Sequence, residues 1–573
     1  MIYLQKRNFK EIFTMSIDRN WWKNKIAYQV YPRSFCDANG DGTGDIKGIT
    51  SKLDYLQSLG VGLLWLSPVY RSPMDDGGYD ISDYRDIDPI FGNMDDMDEL
   101  IREADKRGIK ILMDLVINHC SDEHEWFKKA LADPNSEEAG YFWFANSKDG
   151  KPNNWRSMFG GSAWENVGGD RYYMHLFSKK QPDLNWENPV LREKLYDMVN
   201  FWLEKGLGGF RVDAIVHIKK MEGLPSGPAD DADGMVGCFA YTRNVDGIGD
   251  YLTELREKTF DKYQCVTVAE AAGVPNEQLV DYIGKDGYFS TMFDFSYSEP
   301  YMWGHGWHTC KGPGEWSFRR WRDTLYASQL DTQKIGFGAV FLENHDYPRA
   351  IQKFIPEKDH SPRVQMMLGN MFFFLRGLPF IYQGQELGMT NPGFTSIDPI
   401  DDISTKNHYS LAIADGLEPA EAMKLVARYS RDNARVPFPW DDSENGGFSK
   451  AGVKTWLPVH PDYKTVNAAT EMNDPNSVLA FYKEMVRIRT NSEYAETIQD
   501  GVFAPILKQY DKLIAYTRTG EKKIAVICSF SDKKRKIKLP FGIKNLILSS
   551  HDEYKLEDGV LTLLPYQSVM FEI

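Results

Sequence analysis

Cysteine is scarce. Six occur among 573 residues, at 36, 120, 238, 265, 310 and 528. None belongs to a CxxC pair, which excludes a zinc knuckle and a thioredoxin-like redox motif, and thiols kept reduced in a cytoplasm are the expected state. Positive charge is in deficit: 67 Lys and Arg against 82 Asp and Glu leave a net charge of −15. A nucleic-acid binder needs a basic face, and no long Lys/Arg run is present. Long apolar runs are missing too. The nearest, MFFFLRGLPFIY at 371–382, is interrupted by Arg376 and is too short to span a bilayer, so no membrane partner is expected. The opening MIYLQKRNFKEIFTMSIDRN has no continuous apolar stretch and no small-residue cleavage site. No secretory signal is therefore expected, and Met15 is a candidate natural start.

What remains is a globular composition, with 42% hydrophobic and 26% charged residues. A chain of 573 residues exceeds one hydrophobic core and implies two or three domains. Aromatics reach 13%. They serve packing, and they also suit stacking against a neutral ligand such as a sugar.

Short apolar runs recur near 26–31, 61–66, 109–117, 207–212, 264–269, 289–295, 338–343 and 378–382. Segments of helical period separate most of them, such as 49–59 and 94–106. Strand and helix alternating eight times predicts an α/β protein with a closed (β/α)₈ TIM barrel. The stretch after the third strand, 120–189, is rich in Trp, Asn, Gly and Pro and reads as a small inserted domain. Barrel sequence is then expected over 1–119 and 190–494. From 495 to 573 short alternating strands predict an all-β C-terminal sandwich.

A TIM barrel carries its active site at the C-terminal ends of its strands. Strand three ends in Asp114-Leu-Val-Ile-Asn118-His119, strand four in Arg211-Val-Asp213, strand five in Glu270, and strand seven in Glu343-Asn-His345-Asp346. Any one acid there, taken alone, reads better as a helix N-cap. Four strand ends carrying such groups together suit glycosidic cleavage, which takes one carboxylic acid and one carboxylate nucleophile or base. One carboxyl has to keep its proton near neutral pH, through burial or a neighbouring negative charge.

DLVINH at 114–119, GFRVDAI at 209–215, AE at 269–270 and NHD at 344–346 stand in the order of the α-amylase family, glycoside hydrolase family 13, and the chain resembles that family from Trp21 to its C-terminal domain. QPDLNW at 181–186, YQGQELGM at 382–389 and RDNAR at 431–435 resemble the oligo-1,6-glucosidase and α-glucosidase branch. The resemblance implies a retaining, exo-acting α-glucosidase. Asp213 would be the nucleophile, Glu270 the acid and then the base, and Asp346 the stabiliser of the transition state. Arg211 would bond Asp213, and His119 and His345 would bind hydroxyls of the terminal glucose. Asp76 and Arg431 would close the pocket, Tyr79 would stack on the sugar, Phe159 and Phe177 would form an aromatic clamp, and Arg349 would border the next subsite. Core packing is the competing reading for the aromatics, and a surface ion pair for Asp76 and Arg431.

Asp37, Asn39, Asp41, the carbonyl of Thr43 and Asp45 fall at the oxygen positions of an EF-hand-like loop, although Gly48 stands where the bidentate Glu belongs. A structural Ca²⁺ or Mg²⁺ is expected there, with no cofactor for catalysis; an ion-free Asx turn is the alternative. Some positions depart from the branch. Ala214 points to α-1,4 bonds, whereas the branch motifs point to α-1,6. Tyr347 makes the aglycone side more aromatic, and 303–316 is an unusual stretch that would shape the pocket mouth. A transglycosylase or isomerase on the same scaffold, and a hydrolase of phosphorylated disaccharides, remain as alternatives. A non-catalytic transporter subunit would lack the acids. The expected partner is a short α-gluco-oligosaccharide, and the expected state a monomer or weak homodimer.

Overall fold

The computed structural model describes residues 18–297 and 317–573. Met15, Cys310 and the stretch 303–316 lie outside them. Eight short strands form one parallel sheet: β1 (Ala27–Val30), β2 (Leu63–Leu66), β3 (Lys110–Val116), β4 (Gly209–Asp213), β5 (Val266–Ala269), β6 (Thr291–Met292), β7 (Ala339–Val340) and β8 (Leu378–Tyr382). The order β6-β5-β4-β3-β2-β1-β8-β7 is closed by a parallel bridge between Phe293 and Ala339, completing a barrel.

Each strand is buried on both faces, as a sheet covered by helices requires. Alternation then sorts its side chains. Ala27, Leu63, Leu112, Val266, Phe293, Ala339, Leu378 and Phe380 fill the lumen. Their neighbours Tyr28, Leu64, Met113, Phe210 and Ile381 pack outward in the main core under the helices. The same period sends Gln29, Asp114, Arg211 and Asp213 inward. Gly209 opens β4 at φ +143°, where a Cβ would meet the Val266 carbonyl oxygen at 1.8 Å. Glycine there lets β4 approach β5 closely enough to pair, which sets the two strand ends side by side.

The crossover helices are capped by local chemistry. Met94–Lys106 starts at a capping box made by Asn93 and Asp96. Pro189–Glu204 starts with Asn188 accepting from the N–H groups of Val190 and Leu191, with Pro in the first turn. The helix expected over 49–59 is two, Ile46–Ser51 and Leu53–Leu59, because Lys52 leaves the helical basin at φ/ψ −106°/6°.

Between β3 and β4 stands a three-stranded antiparallel layer of Phe144–Asn146, Arg171–Met174 and Trp164–Gly168. Trp155–Arg156 pairs with Val236–Gly237, and one apolar cluster joins Trp155 and Trp164 to Val236 and Cys238. The inserted layer therefore draws on residues beyond the expected limit at 189. In the C-terminal region a five-stranded and a three-stranded antiparallel sheet share a core that includes Ile527, Ile537, Leu561 and Phe571, making a sandwich. Helix Ala495–Asp500 precedes its first strand, Val502–Pro505. Among the described residues no helix is long and apolar enough to cross a membrane.

Candidate active site

Three acids gather on one cation at the top of the lumen. The β3–β4 register pairs Arg211 with Asp114, and Arg211 Nη1 donates to Asp114 Oδ1 at 2.7 Å and to Asp213 Oδ1 at 2.5 Å. Its Nη2 lies 2.8 Å from Glu270 Oε2. That oxygen also accepts the Ala214 N–H at 2.9 Å, and the Glu270 N–H bonds back to the Val212 carbonyl at 2.9 Å. One planar guanidinium thus spans the carboxyls of Asp213 and Glu270. Such closeness suits the roughly 5–5.5 Å separation of a retaining pair better than the wider gap of an inverting one.

Charge balance follows from burial. One cation cannot neutralise two buried acids and a third that is partly open. Burial pushes Asp114 and Asp213 above the usual carboxylate range, against the pull of Arg211. Burial also raises Glu270 to about 7; Arg211 opposes this, while the charges of Asp213 and Asp346 add to it. Glu270 keeps 23% of its side chain open, so it is the acid of the three best able to pass a proton into the cavity.

Asp346 behaves oppositely. Burial disfavours its ionisation, yet His345, Arg431 and Arg435 outweigh that and hold its carboxyl at about 2. Its Oδ1 lies 3.1 Å from Arg435 Nη2 and 3.5 Å from Arg431 Nη1. His345 is itself driven down to about 3 by burial, so near neutral pH it is an uncharged ring and the arginines supply the charge. Its Nδ1 faces the Gln29 amide nitrogen at 2.8 Å, and its Nε2 faces the Tyr79 hydroxyl at 2.7 Å. The amide donates to Nδ1, which leaves the proton on Nε2. Tyr79 lies parallel to this ring, centroids 5.3 Å apart, and donates to Asp114 Oδ2 at 2.9 Å.

Arg431 closes one end of the site. Its Nη2 meets Asp76 Oδ1 at 2.8 Å and Asp402 Oδ1 at 2.7 Å, and its guanidinium carbon lies 5.1 Å from the Phe159 ring centre. Asp76 and Asp402 are buried, so this is no surface ion pair. Gln181 donates to Asp76 Oδ2 at 3.1 Å and stands 3.2 Å from His119 Nε2. Burial lowers His119 to about 4, leaving it neutral as well. Phe177 packs 4.9 Å from the His119 ring and 5.7 Å from Phe159.

These groups line one cavity of about 290 Å³. Asp76, Tyr79, His119, Phe159, Phe177, Asp213, Glu270, His345, Asp346 and Arg431 all face it, as do Ala214 and Tyr347. Arg211 lies beneath. Arg349 is the correction. It is wholly buried, ion-paired with Glu343 at 2.9 Å and bonded to the Gln383 carbonyl at 2.9 Å, so it braces the β7 and β8 ends instead of bordering a subsite. Sequence reasoning missed Asp402, Arg435, Ser404, His408, His217 and Phe239. RDNAR contains Arg435, so that signal was available; the others stand in no motif. A larger cavity, about 690 Å³, opens elsewhere on the barrel and contains none of these acids.

In the loop at 37–45, Asp37 accepts from the N–H groups of Gly40 and Gly42, Asn39 from Asp41, and Asp41 from Thr43. Asp45 caps the helix at Ile46 and also accepts from Ala38 and Asn39. Among the described residues, no three His, Cys, Asp or Glu side chains form a metal-holding group. The donor set is all oxygen, and the Asn39 side chain and Thr43 carbonyl would have to complete any shell.

The family description "Alpha amylase, catalytic domain" matches residues 29–499. An oligo-1,6-glucosidase of Parageobacillus thermoglucosidasius is 41% identical over 97% of this chain and 100% of its own. A glucan 1,6-alpha-glucosidase of Streptococcus dysgalactiae subsp. equisimilis is 38% identical over 94% of this chain and 97% of its own. Among solved structures, the trehalose-6-phosphate hydrolase of Bacillus licheniformis superposes with a TM-score of 0.88 at 36% identity, covering 96% of this chain and 99% of its own. The isomaltulose synthase of Klebsiella sp. LX3 superposes with a TM-score of 0.89 at 34% identity, over 96% of this chain and 99% of its own.

Proposed function

The chain belongs to the α-amylase family of glycoside hydrolases, and from that premise we propose that it is a retaining α-glucosidase releasing glucose from the non-reducing end of isomalto-oligosaccharides. The carrying observation is the fork of Arg211 between Asp213 and Glu270, beneath a cavity closed by Asp76 and Arg431.

The geometry supports a double displacement. Asp213 attacks the anomeric carbon while Glu270 gives its proton to the glycosidic oxygen, and the leaving sugar departs. The resulting glycosyl ester is opened by water, whose proton returns to Glu270. Asp346, held ionised, faces the positive charge that develops on the sugar ring. His119 and His345, both neutral, offer hydrogen bonds to hydroxyls, and the Asp76–Arg431 pair blocks longer chains from passing beyond the terminal glucose.

The α-1,6 preference rests on what the similar curated proteins are named for. Ala214, which lines the cavity, favours α-1,4 bonds as the second reading. Incubating the purified protein separately with isomaltose and maltose distinguishes them. Faster glucose release from isomaltose supports the first reading, and faster release from maltose makes Ala214 the reporter of linkage. Glucose from neither, with the protein folded, would overturn both in favour of a phosphorylated substrate or a transferase.

The oxygen donors at 37–45 support a structural Ca²⁺ as part of the same proposal. Adding Ca²⁺ to chelator-treated protein is expected to raise Tm, and an unchanged Tm rejects the ion. The free, mostly buried cysteines support a reducing compartment.

A further inference from the structure

Two cations share one aromatic ring at the barrel end opposite the acids. Lys23 Nζ lies 5.7 Å from the centre of Phe337, and the Arg376 guanidinium carbon lies 5.2 Å from it. Lys23 precedes β1, Phe337 precedes β7 and Arg376 precedes β8, so all three belong to the N-terminal rim of the strands. They line the cavity of about 690 Å³ together with Thr267 and Ser290, which stand at the starts of β5 and β6.

The charge of this cavity runs against that of the molecule. Six of its lining residues are Lys or Arg and two are Asp, in a chain of net charge −15. Asp261 answers Arg19 at 2.8 Å and Arg256 at 3.4 Å. Lys23 and Arg376 have no such partner at ion-pair distance among the described residues. Asp500 acts on both, and Asp18 on Lys23, through longer-range attraction. Arg376 Nη1 donates to the Gly336 carbonyl at 2.5 Å, a hydrogen bond to a neutral group. Burial lowers both groups, and Arg376 lowers Lys23 further by repulsion. Solvated surface cations would separate; these are held over one ring in a recess.

Both line the same recess, and an Arg fork together with a Lys point charge suits phosphate oxygens. Phosphate alone leaves most of the recess empty. The half-buried Ser290 and the Tyr288 ring line the rest, which suits a polyhydroxylated body. We propose that this cavity binds a small sugar phosphate, its phosphate on Lys23 and Arg376, at the barrel end opposite the glucosidase site.

The test is calorimetric titration of the full chain with fructose 6-phosphate, with fructose and inorganic phosphate as comparators. Saturable binding is expected, at least tenfold tighter than inorganic phosphate, with none for fructose. Lys23→Ala is expected to weaken it at least tenfold while leaving glucose release from isomaltose unchanged, which also reports correct folding. Arg376→Gln should weaken it comparably. No binding to the unaltered protein, equal affinity for inorganic phosphate, or undiminished affinity in an active Lys23→Ala protein would each overturn the proposal.

Discussion

Arg211 Nη1 stands 2.5 Å from Asp213 Oδ1, and both side chains come from β4 two residues apart on its inward face. Strand period alone therefore delivers the proposed nucleophile with its counter-ion. Asp213→Asn keeps the shape and removes the attacking charge. Glucose release should fall by roughly a thousandfold or more, with an unchanged circular-dichroism spectrum. An active, pure variant protein would remove Asp213 from the mechanism.

In the proposed mechanism Glu270 sets the alkaline limb. Its carboxyl, ordinarily near 4.5, is raised to about 7 by burial, so the acid form required for leaving-group protonation persists up to that pH. Turnover under kcat/KM conditions should decline above about pH 7, and a decline already complete near 4.5 would contradict this. Stability is linked with a definite sign. The folded state keeps a proton that the unfolded chain releases near 4.5, so this group costs stability as pH rises through 4.5 to about 7. Glu270→Gln should abolish activity and raise Tm relative to the unaltered protein above that window, but not below it. Equal Tm differences at both ends would mean that Glu270 is not the proton holder.

Much of this was legible before any coordinates. All eight strands lie within or across the apolar runs expected for them, because a sheet buried on both faces needs continuous apolar residues. Asp213 ends β4 and Glu270 directly follows β5, where backbone geometry fixes their direction, and Asp346 follows in the loop after β7. Arg349 was misread because motif position says nothing of which way a side chain turns, and Glu343 drew it inward. Asp402 was invisible for another reason: it lies 29 residues from Arg431 in sequence and meets it only through folding. The pairing of Val236 with Trp155 was invisible likewise, since the two meet from far along the chain.

Asp402 makes Arg431 dependable. It accepts from Arg431 Nε at 2.9 Å while capping the helix Ile403–Ala414, whose Ser404 and His408 face the cavity. Arg431→Ala leaves Asp76 and Asp402 buried without their cation, a loss of about 3–5 kcal/mol. The value of kcat/KM on isomaltose should drop by about 100-fold or more, mainly through KM. Asp402→Asn should raise KM more than it lowers kcat and leave the alkaline limb in place. A shifted limb with unchanged KM would show that Asp402 acts on the proton donor instead.

Lys220 and Asp183 form a second buried pair, with Nζ 2.6 Å from Oδ2 and both side chains closed to solvent. Lys220 also donates to the His217 carbonyl at 2.6 Å and to Asn118 Oδ1 at 3.1 Å. Asp183 bridges the His119 backbone, so the pair ties β3's end to the inserted layer beneath the cavity-lining His119. Lys220→Met strands the Asp183 carboxylate and should cost about 3–5 kcal/mol, read as a lower urea midpoint. Asp183→Asn combined with Lys220→Met removes both charges and should recover much of that loss, because an uncharged amide is far cheaper to bury than an unpaired carboxylate. If the double variant unfolds as early as Lys220→Met alone, the loss comes from packing of the lysine stem, and the charge pair is not what holds His119 in place.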